Sequence, residues 1–175
     1  MEFTEVLALR QSVRRYTEEA VSEEDIGALI RAAEAAPIGK HNTEGYELAV
    51  VTDRAALETM KQEYLAAYGT GGHPGSPFFG APLLFIILGN NKTYDFLEQK
   101  DAGILAENIH LEATARGLGS VILYNFVKVL GRDPAYKKLL GLRADQYPLL
   151  GVAAGHPAGA LHARTRKHWL GIVRK

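Results

Sequence analysis

The feature that most constrains the fold is an uninterrupted apolar run at residues 82–88, Pro-Leu-Leu-Phe-Ile-Ile-Leu. It shows no alternation of apolar and polar residues, which is typical of a strand that is covered on both faces. Helical patterns lie on either side of it, and Ser22 and Asp53 each open one of them as an N-cap. Helices that alternate with strands predict a single three-layer domain of the α/β or α+β class over residues 1–175.

The remaining elements follow from side-chain spacing and from capping residues. Strands are expected at residues 46–51, 121–123 and 148–153. A long helix is expected from residue 94 or 98 to residue 116, with Gly117 as its C′ residue. Asp133 and Pro134 are expected to start another short helix. The residues of the long helix that we expect to face inward are Ile104, Leu105, Asn108, Leu111 and Ala115.

The composition excludes several classes of function. Lys and Arg number 20, as do Asp and Glu, so no bulk charge attracts nucleic acid or an anionic membrane. The chain has no Cys, which excludes disulfides and thiol nucleophiles and fits the cytoplasm, where we expect the protein to reside. The apolar run at 81–88 is too short to span a bilayer, and the acidic N-terminus is unlike a signal peptide. We therefore expect no nucleic-acid partner and no membrane partner.

Motifs for metal, nucleotide and hydrolase chemistry are weak. No two of the six His residues form an H-E-x-x-H pair, so no metal site is predicted. The glycine-rich stretches at 69–75 and 117–120 lack the strand, glycine, helix order of a dinucleotide fingerprint. Ser12 and Ser120 lack the G-x-S-x-G context of a hydrolase nucleophile.

Two basic clusters indicate an anion site. Arg10, Ser12 and Arg14 alternate, so an extended segment would point them to one side, where guanidiniums and a hydroxyl suit a phosphate. The second cluster, residues 164–167, follows the last core strand, where a loop can fold back over a site. Two clusters of the same sign, one at each end of a neutral chain, favour a phosphate shared between them.

The order of these features resembles the FMN-dependent nitroreductase family. The stretch at 10–16, Arg-Gln-Ser-Val-Arg-Arg-Tyr, is similar to the family's R-x-S-x-R-x-[YF] opening. The further stretches that resemble family motifs follow in order, so the resemblance runs from about residue 2 to residue 170. They are Ala36-Pro37 with Asn42 and Tyr46, Gly80-Ala81-Pro82, Asp101-Ala102-Gly103 leading to Gly117-Leu118-Gly119-Ser120, and Gly155-His156-Pro157 with Arg164 and Arg166.

The resemblance implies a three-layer α+β sandwich with a central, mainly antiparallel sheet flanked by helices. It also implies a homodimer in which the C-terminal strand crosses to the partner's sheet and FMN lies in the interface. The implied activity is ping-pong transfer of hydride from NAD(P)H through FMN to a nitroaromatic, quinone or flavin acceptor. No side chain is expected to be catalytic, because the cofactor supplies the chemistry.

The same resemblance assigns the cofactor contacts to four groups of residues. The phosphate and ribityl contacts are Arg10, Gln11, Ser12 and Arg14. Arg164 and Arg166 join them from the tail. The partner subunit's contacts correspond to Pro37, Ile38, Gly39 and Asn42, and the segment against the flavin ring to Ile122, Leu123, Tyr124 and Asn125.

Three departures from the family pattern leave alternatives open. Glu44-Gly45-Tyr46 stands where the family has Q-P-W. Residues 72–77 contain no lysine, although many members place one near the flavin pyrimidine ring, and Tyr124 is large where small or acidic residues are usual. The missing lysine and the altered second motif favour a flavin-binding carrier, sensor or scavenger without efficient NAD(P)H turnover as the alternative, and Tyr124 narrows the space over the ring. A domain that binds another phosphorylated metabolite is the third interpretation.

Overall fold

The computed structural model consists of three layers, with helices on both faces of one sheet. It describes residues 1–69, 76–131, 135–165 and 169–174. Four strands form the sheet in the order β1-β2-β4-β3, and each neighbouring pair is antiparallel. The α+β class and the antiparallel sheet are therefore confirmed. The strands are β1 (Tyr46–Val51), β2 (Leu83–Gly89), β3 (Gly119–Leu123) and β4 (Tyr147–Gly155).

Six α-helices and two short 3-10 turns complete the described chain. The 3-10 turns, at Gly39–His41 and Thr43–Gly45, form most of the stretch between the second helix and β1. The helices are α1 (Phe3–Leu9), α2 (Glu23–Glu34), α3 (Arg54–Tyr68), α4 (Glu98–Ala115), α5 (Asn125–Leu130) and α6 (Ala135–Leu139).

Strand β2 lies between the two helical layers, as its sequence predicts. All seven of its residues are buried. Leu83, Phe85 and Ile87 pack in one cluster with α2 and α4, and the residues between them pack in a second cluster with α3 and α5. Successive side chains of a strand point to opposite faces, so one continuous apolar run fills both cores.

The predicted caps are confirmed at three helix ends. Ser22 Oγ accepts a hydrogen bond from the backbone N–H of Asp25 at 3.1 Å, at the start of α2. Asp53 accepts from the N–H of Ala56 at 2.8 Å, at the start of α3. Gly117 follows α4 with a φ of +75°, the left-handed conformation that favours glycine.

The predicted inner face of α4 is wrong except at Leu105, which packs against the core. Ile104, Leu105, Asn108, Leu111 and Ala115 are only half-buried. The fully buried residues of the helix are instead dominated by alanine, because small side chains let the helix axis lie close to the sheet. Asn108 has a different role, since its side-chain amide donates to the carbonyl of Ala32 at 2.9 Å and ties α4 to α2. The fully buried apolar residues of α4 in this core are Ala102, Ala106, Ile109 and Ala113.

Other differences concern short elements. Helix α5 is absent from the sequence prediction because it follows β3 directly, without a turn signal. The predicted helix start at Asp133 and Pro134 lies outside the described residues, although α6 begins immediately after them. Residues 169–173 form no strand within the described chain, and their four large apolar side chains are exposed. No helix in the described ranges is long and apolar enough to cross a membrane.

Candidate functional site

Residues 10–17, here called the site strand, pair first with β3 at Ser120 and then with residues 156–158, which follow β4. The backbone N–H of Val13 donates to the carbonyl of Ser120 at 2.9 Å. Further along, the N–H of Thr17 donates to the carbonyl of His156 at 2.9 Å, and the N–H of Ala158 donates to the carbonyl of Arg15 at 3.0 Å. The structure thus confirms the extended conformation and fixes the backbone of the first basic cluster against the sheet.

Gly119 allows this close approach. A Cβ atom at position 119 would lie 2.8 Å from the side chain of Val13, well inside van der Waals contact. Because glycine has no side chain, Val13 occupies that space, and the site strand lies directly on the first residue of β3.

Arg10 and Arg14 contact different layers of the sandwich. Arg10 Nη1 donates to His110 Nε2 on α4 at 2.9 Å, and its Nε lies 3.9 Å from the Glu107 carboxylate. The Arg14 guanidinium lies 5.6 Å from the centre of the Phe79 ring, which packs on the α3 and α5 side. Strict alternation along an extended strand predicts one shared face, but the two long side chains reach different partners, His110 and Glu107 for Arg10 and Phe79 for Arg14.

The tail folds back onto the start of the chain. The N–H of Arg164 donates to the carbonyl of Ala8 at 3.1 Å, and its Nη2 donates to Gln11 Oε1 at 3.0 Å. Gln11 Nε2 is buried without a hydrogen-bond partner. The structure therefore brings Arg164 against the first cluster and leaves a buried donor beside it. Arg166 lies outside the described residues.

A pocket of about 320 Å³ lies next to the site strand on the α3 and α5 side. Arg14 is the only cationic side chain that lines it among the described residues. The same pocket is lined by Ile122, Leu123, Tyr124 and Asn125, so the structure brings Arg14 together with the predicted ring segment. Its aromatic lining is Tyr64, Phe79, Tyr124 and Phe126.

Residues 37–42 lie apart from this pocket, on the other face of the sheet. Ile38 lines a separate pocket of about 490 Å³ with Leu48 and Ile87, which belong to the α2 and α4 side. Pro37 is exposed, and the Asn42 side chain donates to the carbonyl of Lys92 at 2.7 Å.

Asp101 fixes the backbone of this loop. Its carboxylate accepts from the N–H of Gly39 at 3.0 Å and from the Tyr46 hydroxyl at 2.7 Å. Burial, followed by the hydrogen bond to Asp101, raises the pKa of Tyr46, so the phenol remains a donor. The loop is therefore held to α4 by a buried carboxylate rather than by its own turns alone.

A buried polar pair that the sequence-based predictions do not include, His110 and Ser120, lies behind the site strand. Each is 1% exposed, and His110 Nδ1 is hydrogen-bonded to Ser120 Oγ. Burial, and then the nearby charge of Arg10, lower the pKa of His110 to about 4, so the imidazole is neutral at pH 7. The sequence does contain a sign of this burial, because His110 follows Ala106 by four residues and so lies on the same, inner face of α4.

Two remaining expectations concern metals and the lysine-free segment. In residues 1–69, 76–131, 135–165 and 169–174, no group of three or more metal-ligating side chains is placed to hold a metal ion. Of the segment at 72–77, residues 72–75 lie outside the part of the chain that the structure describes.

Comparison with known proteins decides the family. A sequence model of the nitroreductase family matches residues 7–156, which includes the site strand, the sheet and the long helix α4. The chain belongs to the nitroreductase family. Its resemblance to that family, as read from the ordered motifs, is thus confirmed.

Individual relatives of this nitroreductase-family chain agree with that result. An Archaeoglobus fulgidus protein named as a candidate NADH dehydrogenase/NAD(P)H nitroreductase is 28% identical over 160 residues, covering 89% of this chain and 86% of that protein. A Bacteroides fragilis nitroreductase crystallised with bound FMN has a TM-score of 0.84 at 25% identity, over 99% of this chain and 100% of that one. A Bacteroides thetaiotaomicron structure is also named as a candidate NADH dehydrogenase/NAD(P)H nitroreductase. It has a TM-score of 0.73 at 27% identity, over 95% of this chain and 92% of that one.

The lowered pKa of His110 predicts a loss of stability in mild acid. The pKa is about 4 in the folded chain against an ordinary 6.5, so below pH 6.5 the unfolded state binds a proton that the folded state does not. The free energy of unfolding should therefore fall between pH 6.5 and 4, by at most about 3 kcal/mol from this group. Urea unfolding of the wild type and of His110→Gln across this range measures it. Parallel pH profiles for the two proteins would contradict the assignment.

Proposed function

We propose that this chain is an FMN-dependent oxidoreductase that works as a homodimer. It would pass hydride from NAD(P)H through FMN to an oxidised small-molecule acceptor, such as a nitroaromatic, a quinone or a flavin, in a ping-pong reaction. The observation that supports this best is the site strand itself. It joins a cluster of anion-binding donors to a pocket lined by aromatic side chains.

The donors around Gln11 fit a phosphate. Arg164 reaches Gln11 from the tail, and Arg10 and the exposed Ser12 stand on either side of it along the site strand. The unpartnered Gln11 Nε2 is a buried donor, and leaving such a group without an acceptor costs roughly 1–3 kcal/mol. A phosphate oxygen would satisfy it. We propose that Arg10, Gln11, Ser12 and Arg164, with Arg166, hold the phosphate and ribityl end of FMN.

The adjacent pocket fits the ring end. Its volume of about 320 Å³ is at the lower end of the range for small-ligand sites, roughly 300–1,000 Å³. Ile122, Leu123, Tyr124 and Asn125 would lie against the ring, and Arg14 would supply a positive charge beside it. A cation there stabilises the negative charge of a reduced flavin, which is the task of the lysine that this chain lacks. We therefore propose that Arg14 serves the ring rather than the phosphate.

FMN, when bound, supplies the ability to accept a hydride and to pass it on. The chain's own residues bind and orient it: donors at one end fix the phosphate, and apolar side chains at the other exclude water. One pocket then has to admit NAD(P)H and the acceptor in turn, which is the reason to expect ping-pong kinetics.

Two features support a dimer. Ile38 and the loop at 37–42 lie on the opposite face of the sheet from Arg14 and its pocket, so one copy cannot bring both to the same ligand. A second copy can, if its loop covers the first copy's pocket. The exposed apolar residues at 169–173 also have no place in the sheet of their own chain. We propose that Pro37, Ile38, Gly39 and Asn42 contact FMN held by the partner, and that the tail adds a strand to the partner's sheet.

Tyr124 favours one alternative function. Its side chain is 56% exposed and lines the pocket, where it would occupy space above a bound ring. A ring that is covered in this way could bind firmly and yet admit NAD(P)H poorly. The alternative is therefore a flavin carrier, sensor or scavenger without efficient turnover.

The visible absorption spectrum tests the proposal. The purified protein should be yellow, with about one FMN per chain, or should bind added FMN, because the donor cluster and the pocket match its two ends. A colourless protein that leaves FMN fluorescence unquenched would refute FMN binding. For the loaded protein, an NAD(P)H oxidation assay separates the two functions. Turnover with a quinone acceptor supports the reductase, and its absence supports the carrier.

Arg14 and Arg15 form a matched pair for a second test. Arg14→Ala should weaken FMN binding, because a hydrogen bond from the charged guanidinium to an oxygen of the flavin ring contributes about 1.5–3 kcal/mol, which is roughly 10- to 150-fold in affinity. Arg15→Ala should change it by less than about threefold, since the Arg15 side chain is exposed and does not line the pocket. Fluorescence titration with FMN measures both variants, with circular dichroism to check folding. Equal losses would mean that the cluster acts only as diffuse positive charge.

Truncation tests the role of the tail. Removing residues 168–175 should lower the dimer's melting temperature and shift sedimentation towards monomer, because the exposed apolar residues of the tail would be buried only against a partner. A chain ending at residue 173 is the control, since it keeps the apolar run and should remain dimeric. If the variant that lacks residues 168–175 is still dimeric and its melting temperature is unchanged, the tail does not add a strand to the partner's sheet.

A further inference from the structure

A continuous set of hydrogen bonds, buried at its inner end, connects the sheet to the basic cluster. It starts at Ser120 in β3, passes through His110 on α4 and ends at Arg10 on the site strand. The contact between His110 Nε2 and Arg10 Nη1 is 2.9 Å long. Ser120 also accepts from Val13 through its backbone carbonyl, at 2.9 Å. One residue of the sheet therefore fixes both the backbone of the site strand and, through His110, the side chain of Arg10.

The chemistry of the partners determines where the imidazole proton lies. An arginine guanidinium has only donors, so Nε2 of His110 has to be the acceptor. The remaining proton of the neutral ring is then on Nδ1, which donates to Ser120 Oγ. Burial and the charge of Arg10, which lower the pKa of His110 to about 4, maintain this neutral form at pH 7.

His110 gives Arg10 a hydrogen-bond acceptor, which an apolar residue at the same position would not provide. The inner face of α4 around His110 is mostly apolar, although Asp101 and Thr114 are also buried there, so a hydrophobic side chain at position 110 would suit most of this core. A buried imidazole costs free energy unless both nitrogens are bonded, and here both are. What the imidazole adds is a fixed acceptor, which favours one orientation of the long Arg10 side chain.

We propose that His110 is a positioning residue that holds the Arg10 guanidinium in the orientation in which it binds the phosphate of the cofactor. The proposal rests on the proposed function, since it takes the anion at Arg10 to be the FMN phosphate. His110 itself does not contact the ligand. Its effect is to reduce the ordering that Arg10 must undergo when the phosphate arrives.

Two substitutions at position 110 separate positioning from packing. The carboxamide of glutamine reaches the place of Nε2 and can accept from Arg10, whereas that of asparagine reaches only the place of Nδ1. His110→Gln should bind FMN within about threefold of the wild type, and His110→Asn should bind about tenfold more weakly. FMN titration of the folded proteins measures this. Equal affinities for the two variants would overturn the proposal.

A double-mutant cycle shows whether the effect passes through Arg10. In an Arg10→Ala background, His110→Asn should cause no further loss of FMN affinity, because the group that it positions is gone. Additive losses would mean that His110 acts independently and would overturn the proposal. Should His110→Asn fail to fold, Ser120→Ala takes its place. Ser120→Ala alone should weaken FMN binding about threefold, and it should cause no further loss of FMN affinity when Arg10→Ala is already present.

The two proposals fail in different ways. If the wild type does not bind FMN at all, the proposed function fails, and the assignment of the phosphate to Arg10 fails with it. If the wild type and Arg15→Ala bind FMN while Arg10→Ala binds weakly, the phosphate site stands. In that case, unchanged binding by His110→Asn overturns the positioning role alone.

Discussion

Complete burial of strand β2 is the constraint on which the rest of the fold depends. Neither face of its seven residues can meet water, so a layer of helices must cover each side of the sheet. Its backbone groups are also occupied, by β1 on one side and β4 on the other. Polar chemistry is therefore confined to the margins of the sheet. The site strand lies at such a margin, beside β3, where its backbone is hydrogen-bonded to the sheet and its side chains can still reach solvent.

Local features of the fold could be read from the sequence because their causes lie within a few residues. Ser22 and Asp53 bond to N–H groups three positions away, and β1 begins and ends where its pattern predicts. The inner face of α4 could not be read in this way. Ranking residues by size favours Leu105 and Leu111, but the distance between helix and sheet selects alanine at positions such as 106.

The site shows the same division. An extended basic segment and a tail that folds back onto it were both predictable, because each depends on the conformation of one stretch of chain. The partners of each side chain were not. Arg10 and His110 are 100 positions apart, and only the packing of α4 against the sheet brings them together. The different surroundings of Arg10 and Arg14 likewise depend on Glu107 and Phe79, which no spacing rule connects to the site strand.

The fit of Val13 over Gly119 has a consequence for the chain without a ligand. The four strands of the described sheet lie between residues 46 and 155, so this sheet is complete without the site strand, which is attached by backbone hydrogen bonds, by the fit of Val13 and by side-chain bonds such as that from Arg10 to His110. Such a segment can open locally while the core stays folded. Any anion that binds only the attached form stabilises that form in proportion to its affinity and concentration. Binding of the cofactor and attachment of the site strand are therefore coupled. A methyl group added at position 119 would clash with Val13 and would weaken both.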